Sequence, residues 1–102
     1  MRWSVKVLAA AAALCVGTSL AQAQYSDGTI KIGVMNDQSG LYSDLSGQGS
    51  VWSAKKAIED FGAAAKGMKV EVLFADHQNK PDVGSNIVRQ WYDVDQVDVV
   101  VD

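Results

Sequence analysis

Two spacings of apolar residues alternate along this chain. Thr29-Ile30-Lys31-Ile32-Gly33-Val34-Met35 is mostly apolar and rich in β-branched residues, which predicts a first strand. From about Gln48 to Phe61 the period lengthens, with Val51, Ala54, Ile58 and Phe61 at steps of three, four and three. That is one face of a helix. Gly62 suits its end, since glycine takes the left-handed conformation without steric cost, although Ala63-Ala64-Ala65 allows continuation to Gly67. Met68 to Ala75 alternates and then becomes wholly apolar, which predicts a second strand covered on both faces. Pro81 fits the first turn of a second helix, whose buried stripe would be Val83, Ile87, Trp91 and Val94. Asp95-Gln96 then turns the chain into a third strand, Val97 to Val101.

Strand, helix, strand, helix, strand predicts a parallel βαβαβ sheet with right-handed crossovers, in the α/β class. The economical order is 2-1-3, with one helix on each face. That order puts a topological switch between strands 1 and 3, where open α/β sheets bind ligands outside the carboxyl ends of their strands. The stretch MNDQSGLYSDLSGQGS, Met35 to Ser50, leaves strand 1 at that end. It is therefore expected to be a wall of a site, and Tyr42 offers a flat face and a hydroxyl to a small amphipathic ligand, or packs on its own helix.

The amino terminus narrows the compartment. MRWSVKVLAAAAALCVGTSLAQAQ has Arg2 and Lys6 before an apolar run from Val7 to Val16, and Ala21-Gln22-Ala23 as a small-x-small cleavage site. Residues 1–23 are expected to be a signal peptide, cleaved before Gln24, and they carry away Cys15, the only cysteine. The formal charge is −3 for the 102 residues and −5 for residues 24–102. An acidic chain without a basic cluster is a poor binder of nucleic acid.

Catalytic and cofactor patterns are weak. Gly47-Gln48-Gly49 begins a G-x-G-x-x-G string, but its third position is Trp52 and it lies over ten residues past the strand. The two glycines read more simply as space at a helix start. Ser39 lacks the glycine two residues before it that a nucleophile elbow needs, and a Ser-His pair would have to use His77, the sole histidine. No His or Cys pair has metal-ligand spacing. Asp37, Asp44, Asp76 and Asp102 stand at or just after strand ends, where aspartate commonly caps turns. Lys55 with Glu59 and Lys56 with Asp60 read as solvated helix pairs, and Trp52 and Trp91 as core residues.

With this leader, and with IKIGVMNDQSGLYSD, AKKAIEDFG and VEVLFADHQNKPDVGSNIVRQW followed by VDVVVD in order, the chain resembles the periplasmic substrate-binding proteins of branched-chain amino acid type ABC transporters. The resemblance covers essentially all of residues 24–102. It implies a type I binding protein of two hinged α/β lobes, of which this chain would be the amino-terminal part of the first, truncated. It implies a non-enzymatic, extracytoplasmic component of an importer that binds an amino acid or a related small carboxylic or aromatic solute and delivers it to a membrane permease. The Ser-Gly loop touches the ligand in that family, so Ser39, Gly40, Leu41, Tyr42 and Leu45 (or Ser46) inherit that expectation, with no catalytic residue, cofactor or metal. The same fold also serves receptors as a ligand-sensing domain, and a secreted hydrolase using Ser39 and His77 is the enzymatic alternative.

Overall fold

The computed structural model describes residues 28–102, so the expected signal peptide lies outside the described residues. The elements are β1 (Ile30–Asn36), α1 (Gly47–Phe61), a 3-10 turn (Ala64–Lys66), β2 (Val70–Asp76), α2 (Pro81–Asp93) and β3 (Val99–Val101). The strands form one parallel sheet in the order β2-β1-β3. In register, Ile30 to Asn36 lie beside Val70 to Asp76, and Ile32 to Val34 beside Val99 to Val101.

Successive side chains of a strand point to opposite faces, so β1 divides its residues between the helices. On one face Trp91 of α2 lies against Gly33; on the other, Asn36 donates from Nδ2 to the Gly47 carbonyl of α1 at 3.0 Å. The helices therefore cover opposite faces, as the 2-1-3 order requires. The core consists of Val34, Val51, Ala63, Trp91 and Val97. Each large apolar side chain withdrawn in this way contributes about 1.5–3 kcal/mol.

Several element ends differ from the sequence reading, for local reasons. Helix α1 stops at Phe61 because Gly62 turns left-handed (φ 74°), and the following alanines form the 3-10 turn, which closes at Gly67. Phe61, the last residue of the helix, is half exposed instead of buried, with the Lys66 ammonium 3.9 Å from its ring centroid. Val94, just past the end of α2, is exposed instead of core. Val97 precedes β3, yet it is buried, and its N–H donates to the Trp91 carbonyl at 2.9 Å. Strand β2 is not covered on both faces: as an edge strand it leaves Phe74 half exposed, with Lys55 5.4 Å from the ring centroid. Lys55 serves that ring, and Lys56 makes the helix ion pairs, to Asp60 at 3.0 Å and Glu59 at 3.5 Å.

Candidate functional site

The crevice is built outward from the last residue of β1. Asn36 is 1% exposed, and its side chain ties the strand end to the start of α1 through the Gly47 carbonyl. Its backbone carbonyl accepts the His77 N–H at 3.0 Å, which joins the ends of β1 and β2. Asp37, 2% exposed, turns its carboxylate back into the loop that follows. There it accepts the N–H groups of Gly40 (2.8 Å), Tyr42 (3.0 Å) and Ser39 (3.4 Å). Short polar side chains that accept downstream backbone donors fold turns in this way.

Around that carboxylate the loop winds into successive turns. Ser43 donates to the Gly40 carbonyl from both N–H (3.2 Å) and hydroxyl (2.8 Å), and the Leu45 N–H donates to the Tyr42 carbonyl at 3.0 Å. The loop is hence an ordered structure with its own hydrogen bonds.

A second carboxylate, at the end of β2, holds the other side. Asp76 Oδ1 accepts the N–H groups of Gln38 (3.0 Å) and Gln78 (2.7 Å), and Oδ2 accepts the Ser39 hydroxyl at 2.5 Å. Gln48 of α1 donates to the Gln38 side chain at 2.7 Å. Hydrogen bonds to the ionised form lower a carboxyl pKa. The Tyr42 amide above all holds Asp37 below its ordinary value, helped by the Gly40 and Ser39 amides against desolvation and the Asp76 charge. Asp76 is lowered chiefly by the Gln38 amide, then by the Ser39 hydroxyl.

A cavity of about 600 Å³ opens between the amino-terminal half of α1 and the carboxyl end of β3, bordered by Leu45, Ser46, Ser50, Trp52, Val101 and Asp102. This is the switch point between β1 and β3. Another opening of about 600 Å³, bordered by Met35, His77, Gly84 and Val88, lies against α2, away from that switch point. Position in the sheet favours the first as the ligand crevice.

Of the five loop residues expected at a ligand, Leu45 borders the cavity directly. Ser39 and Gly40 stand against Asp76 and Asp37, while Leu41 is 82% and Tyr42 46% exposed. Trp52 corrects the sequence reading: it is 67% exposed at the cavity and is not core, because it lies one residue, or about 100°, round the helix from buried Val51. That offset was present in the sequence. Ser50 and Val101 had no comparable signal.

The catalytic alternative finds no geometry. The Ser39 hydroxyl donates to Asp76, and His77 Nδ1 accepts the Asn79 N–H at 2.9 Å, so each is engaged separately. Among the described residues there is no group of His, Cys, Asp or Glu fit to hold a metal, and no helix long and apolar enough to cross a membrane.

A family model for periplasmic binding proteins matches residues 29–102. The chain belongs to the periplasmic binding protein family. Family members bind solutes in the periplasm and are not enzymes. Two solved periplasmic binding proteins share its fold. One, from Burkholderia mallei, is 42% identical with a TM-score of 0.67, over 72% of this chain and 20% of its own. The other, a branched chain amino acid ABC transporter periplasmic ligand-binding protein from Burkholderia xenovorans LB400, is 43% identical with a TM-score of 0.66, over 71% of this chain and 19% of its own. This periplasmic binding protein chain thus spans about a fifth of the length of those structures. No curated protein sequence matches it significantly.

Proposed function

We propose that residues 24–102 form the amino-terminal part of the first lobe of a solute-binding protein, exported by the 1–23 leader, that serves an ABC importer. The solute is an amino acid or a related small carboxylic or aromatic acid, held at the β1–β3 crevice and delivered to a membrane permease. The observation that carries this reading is the cavity at the switch point, which pairs apolar walls (Leu45, Trp52, Val101) with small polar groups (Ser46, Ser50). An apolar pocket with a few convergent polar groups suits a small amphipathic ligand. The solved neighbour named for branched chain amino acid transport supports the same solute class.

In this reading Ser39, Gly40, Leu41, Tyr42 and Leu45 make one wall, and a second lobe closes over the solute. Occupancy then favours the closed state, which the permease recognises.

Calorimetric titration of the exported protein with L-leucine, L-phenylalanine, benzoate and 4-hydroxybenzoate tests the reading. Saturable binding of at least one, weakened about tenfold or more by Leu45→Asp, is the expected result, since tenfold corresponds to about 1.4 kcal/mol. A folded protein that binds none of the four rejects the proposed solute class.

A further inference from the structure

The loop proposed to wall the crevice hangs on two carboxylates, Asp37 just after β1 and Asp76 at the end of β2. Asp37 takes three N–H groups of its own loop, those of Ser39, Gly40 and Tyr42. The fit is close: a β-carbon on Gly40 would stand 2.7 and 2.9 Å from the two Asp37 oxygens. Asp76 reaches across from β2 to the Gln38 N–H and the Ser39 hydroxyl. A serine hydroxyl has one proton to give, and here a carboxylate holds it, in the stronger, charge-assisted kind of hydrogen bond.

We propose that Asp37 and Asp76 are the positioning residues of the crevice loop, and that the Ser39 side chain is a strut between the ends of β1 and β2 instead of a donor to the solute. The inference rests on the reading of this loop as a solute wall, and it assigns the wall's contacts to Leu41, Tyr42 and Leu45. Its test needs no solute, so a failure to find a ligand and a failure of the strut are separate results.

The test is amide hydrogen exchange by NMR on the full chain. In Asp37→Asn, exchange at Gly40 and Tyr42 rises about tenfold or more while the β1 amides of Ile32 and Val34 keep their protection, the mark of local opening without global unfolding. In Ser39→Ala the Gln38 amide exchanges faster, and Ser39→Thr, which keeps a hydroxyl, restores it. The wild type supplies a readout that requires no variant to fold. As acid protonates Asp37, which Asp76 faces with His77 beside it, the Gly40 and Tyr42 amide shifts should move together with the Asp37 carboxyl carbon. Unchanged Gly40 and Tyr42 exchange in Asp37→Asn, equal acceleration throughout β1, indifference of Gln38 to Ser39→Ala, or amide shifts that ignore the Asp37 titration would each overturn the proposal.

Discussion

Trp91 fills the space above Gly33: two of its ring carbons stand 2.5 and 2.6 Å from the point a β-carbon on Gly33 would occupy. The central strand thereby seats helix α2 directly on its backbone, and Trp91 is 6% exposed there. Gly33→Ala should destabilise the fold by about 1–3 kcal/mol, the usual cost of forcing extra volume into a packed site. Trp91→Ala should cost about 3–5 kcal/mol. Because the two residues touch, the double variant Gly33→Ala with Trp91→Leu should lose less than the sum of its single changes. Urea unfolding followed by circular dichroism measures all four.

Gly40→Ala attacks the loop without touching the sheet. Its new methyl group would collide with the Asp37 carboxylate, a short and buried side chain with little freedom to retreat. Displacing the carboxylate weakens its hydrogen bonds to three part-buried N–H groups, so a loss of about 0.5–1.5 kcal/mol is expected. Faster exchange of the Ser39 and Tyr42 amides should accompany it. A variant with wild-type stability and wild-type exchange would show that the carboxylate does not order the loop.

Acid should loosen the same region. Both Asp37 and Asp76 are held below their ordinary values in the folded protein. Between the folded and unfolded pKa values the unfolded chain binds more protons, so stability rises with pH in that window. The contribution is complete above the unfolded aspartate value of about 3.9 and is lost as pH falls through the lower folded values. Urea midpoints measured from pH 2 to pH 6 should therefore fall at the acid end, and less steeply in Asp37→Asn and Asp76→Asn.

Asn36→Asp reverses the pH dependence. The Asn36 Nδ2 donates to the Gly47 carbonyl in a buried setting, and Oδ1 has no hydrogen-bond partner. An aspartate there would put an acceptor against an acceptor, and burial would raise its pKa. The variant should be least damaged while protonated and should lose stability as pH rises through that raised pKa, by about 3 kcal/mol or more at neutral pH, as expected for an unpaired buried charge. A variant equally stable at pH 4 and pH 8 would contradict the assignment.

Trp52→Ala, by contrast, should shift stability by no more than about 0.5 kcal/mol, since exposed side chains away from the core contribute little. A large loss in urea unfolding would mean that this indole is a packing residue after all.

Much of the architecture was legible because β1 and the two helices carry clean periods. Val51, Ala54 and Ile58 specified the buried side of α1, and the alternation of element types specified the parallel 2-1-3 order. Two of the errors came at helix ends, and a third, Trp52, lay one residue off the stripe. Phe61, the last residue of α1, and Val94, just past the end of α2, continue the stripe on paper, but each stands where the helix ends and is exposed. The crevice was legible in position, since strand order alone places the Met35–Ser50 loop there. Its internal construction was not. Asp37 and Asp76 were visible as aspartates at strand ends, yet which donors they receive depends on a chain reversal at Gly40 and on the β1–β2 register, neither of which any local pattern encodes. The solute-contact roles expected of the five loop residues rest on the family resemblance, and the inference above narrows them to Leu41, Tyr42 and Leu45.

One consequence follows from a loop whose polar groups are satisfied from within. With three N–H groups turned inward to Asp37, the loop shows solvent Leu41 and Leu45, 82% and 79% exposed, and half of Tyr42, beside the exposed Ser39 and Asp44. Water over the two leucine side chains has few strong partners and is held loosely, and loosely held water is displaced by an apolar group with a gain in affinity. At Leu45, which borders the cavity, an apolar group would therefore gain by displacing water, whereas the neighbouring Ser46 and Asp102 keep theirs.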